Sequence, residues 1–171
     1  MIETARLLLR KPRLDDWDSV SAMWADPVVT RHITGSPLPR RQAWMNLLSQ
    51  VGHWDLLGYG GWIVVEKSTG RFVGQVGFQL FIRGIDPALE PLPEAGWVLA
   101  TEAHGQGYAT EAVAAALAWA DRSIEVPATV AIVNVGNAAS RRVAGKVGFR
   151  EVRYETYLES AIVLFRRPRG G

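Results

Sequence analysis

The chain has 171 residues, 48% of them hydrophobic, and carries 19 Lys and Arg against 17 Asp and Glu for a net charge of +2. That fits one globular domain, 1–171, without the basic excess of a nucleic-acid-binding protein. No cysteine is present, which excludes a disulfide framework, a thiol nucleophile and cysteine-ligated zinc. The histidines His32, His53 and His104 are scattered, so no metal is expected. The opening MIETARLLLRKPR lacks a signal-peptide apolar run, and no stretch reaches the roughly 18 apolar residues of a membrane span. A cytoplasmic protein with no membrane partner is the expectation. The basic tail Arg166-Arg167-Pro168-Arg169 reads as a solvated terminus, with nucleic acid not expected as a partner.

Arg6 to Arg10 reads as a short strand, closed by Pro12. Asp15 or Asp16 can cap a helix to about Trp24, which Asp26-Pro27 stops. Val28 to Ile33 is ambiguous, and Gly35-Ser36-Pro37 is a turn. A second helix is expected from Arg40 to Leu57, with Ala43, Trp44, Leu47, Leu48, Val51 and Trp54 at helical spacing. Trp62 to Glu66 and Phe72 to Phe81 form a hairpin about Lys67-Ser68-Thr69-Gly70. Gly74 and Gly77 within it suggest a bulge or a close backbone approach. Arg83 to Pro93 is a loop. Ala95 to Ala100 is a strand, followed by the glycine loop His104-Gly105-Gln106-Gly107 and a helix from Tyr108 with an alanine-rich apolar face. Ala128 to Val133 is a strand, and Ala138 to Val147 a helix ended by Gly148. Phe149 to Tyr154 and Ala161 to Phe165 are the last strands. No repeat or linker interrupts the chain.

The strand, glycine loop and helix from Glu94 to Ala120 suggest an anion site. Glycines admit backbone angles closed to other residues and let a ligand reach the main chain. The first N–H groups of the following helix lack intrahelical partners, and the aligned dipoles add positive charge there. A pyrophosphate suits such a site. It is not a P-loop, because no Lys-Ser or Lys-Thr follows the glycines. It departs from the dinucleotide fingerprint at Thr110 and does not follow the first strand of a βαβ unit. A purely structural turn is the bland alternative.

Three segments in order carry a resemblance: Glu94-Ala95-Gly96-Trp97-Val98-Leu99, then Gly105 to Ala112, then Asn137 to Phe149 (NAASRRVAGKVGF). Together they resemble the GNAT N-acetyltransferase superfamily, in particular its RimJ- and RimL-like branch. The pattern Gln/Arg-x-x-Gly-x-Gly/Ala is met from His104 to Ala109 except at its first position. The resemblance implies an α+β, α/β/α-layered acyl-CoA N-acyltransferase fold. Its sheet would be mixed but mostly antiparallel, with about seven strands and about four helices, splayed between strands 4 and 5 to receive acetyl-CoA. The elements read above come in the same order.

By resemblance, Gly105, Gln106, Gly107, Tyr108, Ala109 and Thr110 would bind the pyrophosphate, and His104 would shape the loop or contact phosphate. Trp97, Val98 and Leu99 would offer backbone groups to pantetheine, the N–H near Leu99 polarising the thioester carbonyl. Asn137 would bond pantetheine, or simply cap its helix. Ser140 could protonate the departing thiolate. Glu94 is the first candidate base, or else a substrate anchor, with Glu90 in reserve. Tyr157 is a possible general acid. His32 and Trp62 are acceptor-site candidates, whereas Trp44 and Trp54 fit the core.

The expected activity is acetyl-CoA-dependent acetylation of a primary amine by direct attack in a ternary complex. The amine would be a protein N-terminal α-amine or a small molecule, and the protein a monomer or homodimer. The alternatives are a non-catalytic acyl-CoA-binding module on the same fold and, with least support, a nucleic-acid-binding domain using the arginine tail.

Overall fold

A computed structural model describes all 171 residues. The strands are β1 (Ile2–Glu3), β2 (Leu7–Arg10), β3 (Gly61–Glu66), β4 (Phe72–Gln79), β5 (Glu94–Leu99), β6 (Ala128–Asn134), β7 (Arg150–Tyr157) and β8 (Ser160–Pro168). The helices are α1 (Trp17–Ala25), α2 (Pro27–Thr30), α3 (Arg40–Leu57), α4 (Tyr108–Ser123) and α5 (Ala138–Lys146). One mixed sheet orders the strands β1-β2-β3-β4-β5-β6-β8-β7. Every neighbouring pair is antiparallel except β5–β6, which is parallel.

Eight strands and five α-helices exceed the expected seven and four. The two-residue β1 has no apolar period to announce it, and α2 is a single turn. Asp26 accepts from the Val28 N–H there and Pro27 opens the turn, so the residues that stop α1 also start α2. Asp16 does not cap α1 with its side chain. Its carboxylate turns back to the Arg13 N–H at 2.7 Å and to Arg10 at 2.5 and 2.8 Å, because a buried charge needs a countercharge more than the helix needs a cap. Burial pushes the Asp16 carboxyl up, but these bonds outweigh it and hold it below the usual range.

Helices cover both faces of the sheet. The alanine stripe of α4 (Ala112, Ala116 and Ala120, with Val113 and Leu117) packs in the main core with Trp62, Val64, Val76, Phe78, Ala95 and Leu99. The opposite face buries Ile63 beneath Val20, Met23 and Trp24 of α1 and Ala43 and Leu47 of α3. Trp54, Trp62 and Trp119 meet edge to face at 4.9–5.5 Å, a favoured aromatic geometry. In the β3–β4 hairpin the register shifts between Val64 and Val65, which pair with Gly74 and Phe72. Val73 is therefore the bulged residue.

Between β5 and β6 the only register pair is Glu94 with Val130. Beyond Glu94 the two strands diverge, which is the expected splay between the fourth and fifth strands of the sequence reading. No helix is long and apolar enough to cross a membrane.

Candidate active site

The divergence opens a cleft of about 590 Å³. Its walls are β5 from Trp97 to Leu99, the loop and first turn from Ala103 to Thr110, the start of α5 from Gly136 to Val143, and α2 with the residues after it. Arg31, Arg142 and Lys146 line it, and no carboxylate does. A long ligand with anionic groups suits that charge balance.

The floor at the phosphate end is main chain. Gly105 and Gly107 lie at φ +74° and +78°, the left-handed region that favours glycine. A Cβ at Gly105 would meet nothing within 4 Å, and one at Gly107 only Arg6, at 3.6 Å. The first bond of α4 runs from the Glu111 N–H to the Gly107 carbonyl at 3.1 Å. The N–H groups of Tyr108, Ala109 and Thr110 therefore have no partner within the helix, and Gly107 gives no side-chain cap. These features fit a pyrophosphate. Tyr108 donates its hydroxyl to Glu66, which pushes the phenol up and fixes the start of α4 on β3.

His104 is turned along the loop. Its Nε2–H donates to the Leu99 carbonyl at 3.0 Å, so it shapes the loop. The Gln106 side chain bonds the Glu102 carbonyl at 2.7 Å, and Gln106 itself does not line the cleft.

The edge of β5 is also exposed to the cleft. The Ala100 N–H donates to Val73 on the β4 side, and Pro93 accepts from Val130 on the β6 side. Strand groups alternate, so the polar backbone groups of Ala95, Trp97 and Leu99 point into the gap. The Leu99 carbonyl is taken by His104, leaving the Leu99 N–H and both Trp97 groups for a ligand. On the far wall Asn137 caps α5, accepting from the Ser140 N–H at 3.0 Å. The Ser140 hydroxyl accepts from the Trp97 indole at 3.3 Å. His32 stands beside Gly136, where a Cβ would lie 3.4 Å from its ring.

Glu94 and Tyr157 lie elsewhere. Ala95 and Trp97 pair with Phe78 and Val76 on the α4 side, so Glu94, one residue out of phase, faces the other side of the sheet. Glu94 is only 9% exposed and bonded through both oxygens to Arg83, at 2.8 and 2.8 Å. The Arg83 guanidinium lies over the rings of Phe81 and Tyr157, 4.3 and 5.3 Å from their centres. Burial works against the charge on Arg83, but the bonds to Glu94 prevail and hold its pKa above the ordinary value. Glu90 lines the same hollow under the 81–92 loop and accepts from the Gly84 N–H at 2.7 Å.

The sequence-predicted residues thus divide between two faces. Trp97, Val98, Leu99, His104, Gly105, Gly107 to Thr110, Asn137, Ser140 and His32 surround the cleft, Gln106 does not line it, and Glu94 and Tyr157 both contact Arg83 outside it. Trp62 does not belong to either place. It is 1% exposed within the tryptophan cluster, so no acceptor touches it. Its position in β3 puts it in phase with Val64, toward α4. The sequence reading missed Arg6, Arg31, Arg83, Arg142 and Lys146. Isolated basic residues carry no periodic signal, and only the tertiary fold gathers them.

The family described as "Acetyltransferase (GNAT) domain" matches residues 6–150. The chain is 26% identical over 149 residues to an uncharacterized N-acetyltransferase, p20, of Bacillus licheniformis, covering 86% of this chain and 81% of that one. A GnaT-family acetyltransferase of Bordetella pertussis superposes with TM-score 0.85 at 31% identity, over 97% of this chain and 98% of that one. At 15% identity the spermidine N-acetyltransferase of Vibrio cholerae, solved with CoA and spermine, shares the fold with TM-score 0.77 over 97% of both chains.

Proposed function

This chain belongs to the GNAT family of N-acetyltransferases, and we propose that it moves the acetyl group of acetyl-CoA onto a primary amine by direct attack in a ternary complex. The acceptor would be a protein N-terminal α-amine or a small-molecule amine. The observation that carries this reading is the cleft at the β5–β6 splay, which combines a left-handed glycine loop, free first-turn N–H groups and an unpaired strand edge.

In the reaction the amine nitrogen bonds to the acetyl carbon, the carbon–sulfur bond breaks, and the amine's proton is lost while the departing thiolate gains one. The first-turn N–H groups from Tyr108 to Thr110, with Gly105 and Gly107, hold the pyrophosphate. Trp97 and Asn137 hold the pantetheine arm. The Leu99 N–H stabilises charge that builds on the thioester oxygen, an interaction strongest in the transition state. Ser140, in the cleft wall, protonates the thiolate.

Glu94, outside the cleft lining but at the residue where the splay begins, accepts the amine proton through water. Each carboxylate oxygen has about two lone-pair sites, and Arg83 takes one on each, so acceptor capacity remains. Tyr157 packs on Arg83, its ring centre 5.3 Å from the guanidinium, and its part is to hold that guanidinium. His32 borders the approach to the cleft. Much of the rate gain comes from bringing amine and thioester together in a fixed geometry.

The test is thiol release from acetyl-CoA with a panel of N-terminal peptides, polyamines, amino acids and aminoglycosides, each product checked by mass. Amine-dependent release with a mass gain of one acetyl group supports the reading. Binding of CoA with no release across the panel identifies a non-catalytic CoA-binding module instead.

A further inference from the structure

The glycine loop has few packing contacts of its own: residues 104–107 are all exposed. Yet one side chain from the far end of the sequence engages it. Arg6, just before β2, donates through Nη1 to the Gln106 carbonyl at 3.0 Å. The guanidinium also lies over the Tyr108 ring, 4.5 Å from its centre. It is fixed in turn by Glu111 in the first turns of α4, at 2.7 Å through Nε and 2.7 Å through Nη2. Glu111 is held by the Arg6 N–H at 2.9 Å and the Thr4 hydroxyl at 2.6 Å. Burial pushes the Glu111 carboxyl up, but the bonds from Thr4 and Arg6 hold it below its ordinary value.

A trans peptide directs its C=O and its N–H to opposite sides. All peptide bonds here are trans. Arg6 holds the Gln106 carbonyl, so the N–H of Gly107 is directed away from Arg6. Gly107 lines the cleft. Gly107 on one side of this peptide lowers the barrier to a flip, so the Arg6 bond to the carbonyl, beside the Gln106 side chain's bond to Glu102, helps to set its orientation.

We infer that Arg6 is a positioning residue for the pyrophosphate: held by Glu111 and Thr4, it fixes the Gln106–Gly107 peptide so that the Gly107 N–H serves the anion. It acts through the loop, and the inference rests on the acetyl-CoA reading of the cleft. The motif that carries the N-terminal strand is thereby tied to cofactor affinity.

The inference separates donors with a pyrophosphate from donors without one. Acetyl-CoA and S-acetylpantetheine are compared as donors for wild type, Arg6→Ala, Arg6→Lys and Glu111→Gln, with CoA affinity measured by calorimetry and folding by circular dichroism. Arg6→Ala is expected to raise the CoA Kd about tenfold, the scale of one charge-assisted hydrogen bond. It should lower kcat/KM for acetyl-CoA correspondingly and leave S-acetylpantetheine within twofold. Arg6→Lys keeps a donor for the Gln106 carbonyl and should recover part of the loss. Glu111→Gln, which loosens the guanidinium, should raise the Kd less than Arg6→Ala. An equal fall for both donors, or a CoA Kd unchanged in folded Arg6→Ala, overturns the positioning role. Wild type that binds no CoA overturns instead the functional reading beneath it.

Discussion

Arg83 bonds both carboxylate oxygens of Glu94, each at 2.8 Å, where β5 and β6 still pair and the splay begins. The carboxylate proposed as base is thus held rigidly and charge-balanced, its backbone at the start of the splay and its side chain outside the cleft lining. Glu94→Gln keeps the shape and removes the basicity. Its kcat should fall about 100-fold, the lower range for loss of a general base, with the KM for acetyl-CoA unchanged. Steady-state kinetics with both substrates varied checks this. A rise in amine KM at unchanged kcat would make Glu94 an anchor.

Removal of Arg83 has a different signature. Arg83→Met leaves Glu94 nearly buried without its countercharge, and unfolding stability should drop by about 1–3 kcal/mol. Urea melts of Arg83→Met and of Arg83→Met/Glu94→Gln decide the matter, because the double variant should recover much of the loss.

At Gly107 the backbone has φ +78° with free space around the missing Cβ. Gly107→Val must bear the strain of the left-handed region, about 1–2 kcal/mol, and its Cβ would lie 3.6 Å from the Arg6 guanidinium that holds the loop. Calorimetry should show CoA affinity lost by at least about tenfold, with the circular dichroism spectrum retained. An unchanged affinity would mean that phosphate does not come near this loop.

Trp62 is a core residue, and its variant should behave as one. Trp62→Ala is expected to cost about 3–5 kcal/mol in a chemical melt, while Trp62→Phe costs less. In the folded fraction of Trp62→Phe the amine KM should match wild type. A selective rise in amine KM would return the residue to the acceptor site.

Acid stability should depend on Asp16, whose folded carboxyl is held below the ordinary value by Arg10 and the Arg13 N–H. A depressed carboxyl contributes stability that is present above its unfolded pKa. That stability is lost as pH falls through about 4, the ordinary value, toward the lower folded one. Thermal melts from pH 7 to pH 2 should show this loss, and Asp16→Asn should be less stable at pH 7 with a shallower acid slope.

Much of this protein was legible as a string. Arg40 to Leu57 was bounded correctly because Gly58 supplies a left-handed end at φ +73° and the apolar spacing is unbroken. The order of strands and helices followed from period and turn chemistry, and the glycine loop between β5 and α4 was visible in residues adjacent in sequence. Trp62 misled because a tryptophan near a predicted site looks the same whether its face of the strand is covered or open. Alternation fixes the phase but not which face α4 will cover.

The sequence by itself determined the longer elements and the glycine loop, since each rests on residues within about one helix or hairpin of each other, and the family through three such local segments in fixed order. The tertiary structure alone decided where the charges meet. Arg6 reaches Gln106 and Glu111 about a hundred positions away, Arg153 pairs with Asp86, and Arg31, Arg142 and Lys146 converge on one cleft. Long, flexible cationic side chains leave no period in a sequence. Their partners are chosen by burial and by the packing of elements that carry no shared local signal.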